Sequence, residues 1–271
     1  MTTLLAPSRA APAVPRLLSE TRTGPGYWVH SLRQMLRFDY GRMREWAPMM
    51  AIVQVMMGAG MAITYGFFFP HMTQPIALFI ATGTPTLALI PLGFVMVPIG
   101  VSQQRVEGTF DFIWSLPAPR SAQAASTFLL YTALAVPGMV VALMIAVWRY
   151  GIHLNVSPAI VPAVLLSALM AISVGFGMAL AIRSPIVISL ITNMLVFMVL
   201  LFSPIVFPPT NLPTWLMDVH RVLPFYHMAV VIRAGLTSGL VAVNVARSYM
   251  VLITWTIAGW LMTAWVIGRR R

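Results

Sequence analysis

Residues 103–120 read QQRVEGTFDFIWSLPAPR, and long apolar runs lie on either side of them. This polar island holds two of the chain's six acidic residues, Glu107 and Asp111. Wound as a helix, it puts Val106, Phe110, Ile113 and Pro117 on one face, with Trp114 and Leu116 at the edges. Glu107, Asp111 and Ser115 fall on the other face. The expected element is a short amphipathic helix with an acidic side, too short and too polar to cross a bilayer. The local pattern leaves two readings open. The stretch is a solvated connector between two spans, or it lies at the membrane surface or offers its acidic side to a partner.

Composition sets the surroundings. Hydrophobic residues make up 59% of the 271-residue chain and charged residues only 8%. A soluble domain averages about 25% charged residues, so this chain cannot cover a water-exposed surface. A mean hydropathy of +0.85 agrees, and an integral membrane protein is expected. The absence of cysteine excludes a disulfide framework and a thiolate metal site. All 17 basic residues are arginine. A P-loop needs a lysine to reach the terminal phosphates, so an ordinary one is excluded, as is a lysine Schiff base. The net charge of +11 does not mark a nucleic-acid-binding domain, because the arginines are scattered. Cytoplasmic flanks facing anionic lipid account for them.

Outward from the island, the chain divides readily. Residues 1–26, rich in Ala, Pro, Ser and Thr, read as a flexible cytoplasmic tail. Residues 27–46 form a basic amphipathic helix, with Trp28, Leu32, Met35, Leu36, Met43 and Trp46 in one stripe and Arg33, Arg37 and Arg44 opposite. Asp39 falls inside the apolar stripe and Gly41 weakens the helix. Packing on protein, rather than on the membrane interface, is the alternative. Six spans are expected over residues 48–69, 76–101, 124–148, 159–182, 186–207 and 248–268. The second carries Pro85, Pro91 and Pro98 and should bend or break. Gly175, Gly177 and Ala179 allow close helix approach in the fourth. Between the last two spans, residues 213–234 read as two short helices divided by Pro224, dipping into the outer leaflet.

Six spans place both termini on one side. With the N-terminus inside, thirteen arginines lie on inner segments and four, Arg149, Arg221, Arg233 and Arg247, lie outside. That bias puts the acidic island in the cytoplasm.

Other residues invite sharper readings. Gln54 and Asn193 are polar groups inside spans. They are candidates for contact with a substrate, or they make hydrogen bonds between helices. Four of the five histidines fall on the outer side, and their spacing matches no metal motif. The twenty methionines are spread over every span, which suits adaptable packing better than a copper pathway. There is no HExxH motif and no nucleophile–base pair, so no enzyme activity is expected.

The chain resembles the permease subunits of type-2 ABC exporters, a group that includes daunorubicin-resistance-like and ABCG-like permeases. The resemblance covers about residues 27–268. It rests on the order of the spans, on RVEGTFDFIWSLP after the second, and on NLPTWLMDVHRVLPFYHMAVVIRAG before the last. It implies an all-α, six-helix membrane fold of the type V exporter class. It also implies a coupling helix over 103–117, in which Arg105, Glu107, Gly108, Thr109, Asp111, Trp114, Leu116 and Pro117 meet a separate ATPase. Residues 27–46 would be the connecting helix, with Trp28, Arg33, Arg37, Arg44 and Trp46. A working unit would hold two permeases, identical or not, and two ATPases that bind ATP and Mg. The location implied is a bacterial inner membrane, and spans two and five would line the pathway. Export of a drug, antibiotic or lipid-like metabolite is the leading function. A lipid-linked polysaccharide exporter and a non-transporting membrane scaffold are the alternatives.

Overall fold

The computed structural model describes residues 24–68, 73–238 and 245–268. The expected tail therefore lies outside the described residues as far as residue 23. Eleven α-helices follow in the described residues: α1 (Pro25–Met43), α2 (Ala47–Phe68), α3 (Gln74–Pro91), α4 (Val97–Val106), α5 (Thr109–Ser115), α6 (Arg120–Tyr150), α7 (Ile160–Ala181), α8 (Pro185–Phe202), α9 (Thr214–His220), α10 (Pro224–Thr237) and α11 (Val245–Gly268). Among the described residues, six segments are long and apolar enough to cross a membrane: Ala47–Phe68, Gln74–Val106, Arg120–Tyr150, Ile160–Ala181, Pro185–Phe202 and Val245–Val266.

The second of these is the axis of the bundle. It was expected to bend or break at its prolines, and it does not break. A π turn, Leu92–Met96, joins α3 to α4 into one 33-residue helix. Proline lacks the N–H that an α-turn uses, and a local widening carries the chain past the defect without ending the helix. Every residue from 80 to 95 is buried. Phe94 meets Phe225 of α10 with ring centroids 5.0 Å apart. At the π turn the backbone runs very close to α7. A Cβ on Gly175 would lie 2.2 Å from the carbonyl oxygen of Gly93, and a Cβ on Gly93 would lie 2.3 Å from the Cβ of Ala171. Only small residues permit this approach.

The outer helices are one-sided. α2 packs along α6, and α11 along α7. α8 leaves Ile186, Leu190, Met194, Phe197 and Leu201 exposed, an i, i+4 series along one face. It is also shorter than the span expected over 186–207. Ser203 turns to an extended conformation ahead of Pro204, which disfavours helix in the residue before it. The chain then runs as buried non-helical backbone through Ile205 and Val206.

Candidate functional site

α1, α5 and the first turns of α6 meet at one end of the bundle. The stretch expected as one helix over 103–117 is divided here. Its first residues, 103–106, complete α4. Gly108 then takes a left-handed conformation, with φ of 74°, and α5 covers only Thr109–Ser115. Glycine adopts that conformation without steric penalty, so the break is local and sharp. The division moves one residue. Val106, expected on the apolar face, is exposed, whereas Phe110 and Ile113 are buried.

α5 is held from its apolar side. Phe110 and Trp114 stack at 5.2 Å, and the Arg120 guanidinium sits 4.8 Å from the centre of the Trp114 ring. The Tyr27 hydroxyl donates to the carbonyl of Pro117, and Trp28 Nε1 donates to Ser121 Oγ at 3.0 Å, which ties α1 to the exit of α5. On the other side Glu107, Asp111 and Ser115 face out. Glu107 accepts a hydrogen bond from Gln103 at 3.0 Å, and neither carboxylate forms an ion pair with a described residue. Behind α5, Arg105 donates to the carbonyls of Ala179 (2.7 Å) and Ile182 (3.2 Å), the last of which follows α7. With Asp111 and Arg183 it borders a polar hollow of about 220 Å³. Arg105 therefore anchors α4 to α7, and Asp111 is presented outward. Thr109 and Leu116 are half-buried, and Gly108 and Pro117 are exposed.

α1 buries Ser31, Met35, Asp39 and Met43 against α6. Asp39 lies in the apolar stripe because it has partners there. Ser126 Oγ donates to its carboxylate at 2.7 Å, and Arg42 approaches within 3.6 Å. Burial raises the Asp39 carboxyl above its ordinary range, partly offset by Ser126 and then Arg42. The Gln104 amide is assigned with its oxygen toward Arg42, which then donates to it at 2.6 and 2.7 Å. One polar cluster thus joins α1, α4 and α6. Arg42, Gln104 and Ser126 were not singled out in the sequence. The signal that pointed to them was the misplaced carboxylate of Asp39. Arg33, Arg37 and Arg44 are exposed, and Trp46 lies half-buried in the turn after α1.

The pathway candidates separate. Gln54 is enclosed between α2 and α6, opposite Gly138. Asn193 is exposed on α8, where its amide donates to Ser189 O at 2.7 Å. The structure does not bring them together.

The opposite end carries α9 and α10. Arg233 of α10 is buried and holds two other elements. It donates to Thr82 Oγ1 (3.0 Å) and Phe79 O (3.4 Å) of α3 and to Ile205 O (2.7 Å), with its guanidinium 3.5 Å from the centre of the Phe79 ring. His227 donates from Nε2 to Arg221 O at 3.0 Å, which leaves Nδ1 to accept from Ser248 Oγ at 2.9 Å. His220 contacts Phe202 O at 3.0 Å. Among the described residues no group of His, Asp or Glu is arranged to hold a metal. His71 lies outside them.

No curated protein matches the chain in sequence. The ABC-2 type transporter family model matches residues 31–237, from the buried face of α1 through the last turn of α10. That match and the six apolar helices make the chain an integral membrane protein, and it belongs to the ABC-2 type transporter family, as the permease component of an ABC transporter.

Proposed function

We propose that the chain is the permease of an ATP-driven exporter that moves a hydrophobic or amphipathic molecule, such as a drug, an antibiotic or a lipid-like metabolite. Two permease chains form the pathway and two ATPase subunits bind ATP and Mg. The bundle lies in an inner membrane with both termini in the cytoplasm, following the arginine distribution. α5 is the coupling helix, α1 the connecting helix, and α9 and α10 are re-entrant at the outer surface.

The observation that carries this reading is the two-sided character of α5. Its apolar side is fixed by Phe110, Ile113 and Trp114, and its acidic side is exposed. A seven-residue helix held by aromatic packing moves with what it is packed on. ATP-driven closure of the ATPase subunits presses on its exposed side, and α4 and α6 carry the displacement into the bundle. Energy enters only through contacts that differ between the two states. Glu107 and Asp111 supply charge-assisted contacts to basic residues of the ATPase and fix its register. The exposed face of α8, with Asn193 on it, is available to the second permease chain and to the pathway.

The test is the double substitution Glu107→Ala, Asp111→Ala in the reconstituted complex. Exposed charge contacts contribute about 0.2–1 kcal/mol each, so removing two should lower ATPase affinity by up to about thirtyfold, with substrate-stimulated ATP turnover reduced. Wild-type turnover and transport in the double variant would refute the assignment of α5.

A further inference from the structure

A cavity of about 760 Å³ opens between α6 and α11, with α7 as its floor. Its origin is in the packing. α11 runs along α7, whereas α6 and α11 do not pack on each other. The walls are graded. Away from α5 they are mainly Phe128, Leu169, Phe176 and Trp260, with Thr127 and Thr263 among them, and a narrower recess of about 40 Å³ continues past Ile172 and Ser173. Beside α5 they become polar, with Arg120, Ser121 and Gln123. Arg120 is the one charged side chain among the described residues that line the cavity, and no carboxylate faces it there. Ser121 Oγ already accepts from Trp28, so its hydroxyl hydrogen is left to donate.

We propose that this cavity binds an anionic phospholipid of the cytoplasmic leaflet, with its phosphate against Arg120 and Ser121 and an acyl chain between α6 and α11. The assignment rests on the orientation proposed above, which puts Arg120 at the cytoplasmic surface. A small soluble anion does not explain the site. One guanidinium and one hydroxyl are few donors for a free phosphate, and most of the wall is hydrocarbon. A phosphate-headed amphiphile matches both halves at once. The volume lies within the range of small-molecule sites, about 300–1,000 Å³. The headgroup end is bordered by Trp114 of α5 and lies beside Ser121, to which α1 is hydrogen-bonded, so an occupant contacts the segment that joins α5 to α6.

The experiment is lipid retention by the full-length chain, purified in detergent, exchanged with phosphatidylglycerol or phosphatidylcholine and weighed by native mass spectrometry. One phosphatidylglycerol per chain should be retained in preference to phosphatidylcholine by roughly fivefold, the contribution of one arginine near an anionic lipid. Arg120→Gln should remove the preference and Arg120→Lys should keep most of it. Ala124→Phe, which fills the cavity and leaves the charge in place, should abolish retention, with an unchanged melting temperature as the control for folding. Equal retention of the two lipids by the wild type, or an Arg120→Gln variant that behaves as wild type, would overturn the proposal. Displacement by millimolar inorganic phosphate would also overturn it, because the site would then be one for a free anion. Retention does not depend on transport, so a negative result leaves the export reading standing.

Discussion

Ser126 of α6 donates a 2.7 Å hydrogen bond to Asp39 of α1, in the buried part of the contact between the two helices. The carboxylate is placed where burial penalises its charge, and the hydroxyl and Arg42 are what make that position tolerable. Asp39→Ala should destabilise the chain by about 2–3 kcal/mol, because Arg42 and Ser126 lose their partner. Ser126→Ala should cost about 1 kcal/mol. Asp39→Asn should be milder than Asp39→Ala, since it keeps the shape and an acceptor while burying no charge. Thermal unfolding of the three variants in one detergent ranks them.

Arg233 satisfies two carbonyls and a hydroxyl from two other segments. Removing it takes one donor from each of those buried acceptors, Phe79 O keeping the Thr82 hydroxyl, and opens a void. Arg233→Ala should lower stability by about 3 kcal/mol or more. Arg233→Lys should recover only part of that, because an ammonium lacks the planar fork that reaches Thr82 and Ile205 together. Melting temperature is the readout. A lysine variant as stable as wild type would show that charge alone is required.

His227 and His220 give the α9/α10 end a pH dependence. Burial lowers both below the usual histidine value, with Arg247 adding to the effect at His227, and backbone hydrogen bonds partly oppose it. A histidine whose folded value is depressed is neutral in the folded chain, while the unfolded chain binds the proton first. Stability is therefore fully present above about pH 6.5 and declines as the pH falls through that value. Between about pH 7.5 and pH 5.5 the wild type should lose melting temperature, and His227→Gln should lose less.

Gly175 and Gly93 set the spacing of α7 from the second span. Gly175→Val should prevent correct packing, because its Cβ would meet a backbone carbonyl at 2.2 Å, and the backbone has no room to yield. Loss of a monodisperse chain on size exclusion is the expected result. Gly60→Val should be tolerated, since nothing lies within 4 Å of its Cβ position.

Hydropathy made the membrane fold legible, because twenty apolar residues in a row have few other uses. Helix ends were read less well where backbone chemistry competes with hydropathy. α8 stops at Phe202 although apolar residues continue, since Pro204 constrains the residue before it. Gly108 split a stretch whose periodicity reads as one helix. Prolines in the second span were read as bends or breaks, and the helix continues through them by way of the π turn. The candidate site was half legible. Glu107 and Asp111 stood out because carboxylates are scarce here. Arg42 and Gln104 did not, because their roles depend on a contact between elements more than sixty residues apart. Arg233 was counted only as an outer-side charge, and no local pattern shows that three elements converge on it.

The π turn at Leu92–Met96 is a place where the winding holds one residue more than an α-helix would use. Such a surplus can be handed from one turn to the next by exchanging neighbouring hydrogen bonds, and each exchange rotates what lies beyond it by about 100° per residue. Below the turn lies α4, ending at the left-handed Gly108 that aims α5. The thrust proposed to reach α5 would thus be relieved by a twist of a ten-residue shaft that bears on α7 and α8, while the half packed on α6 and α10 stays still.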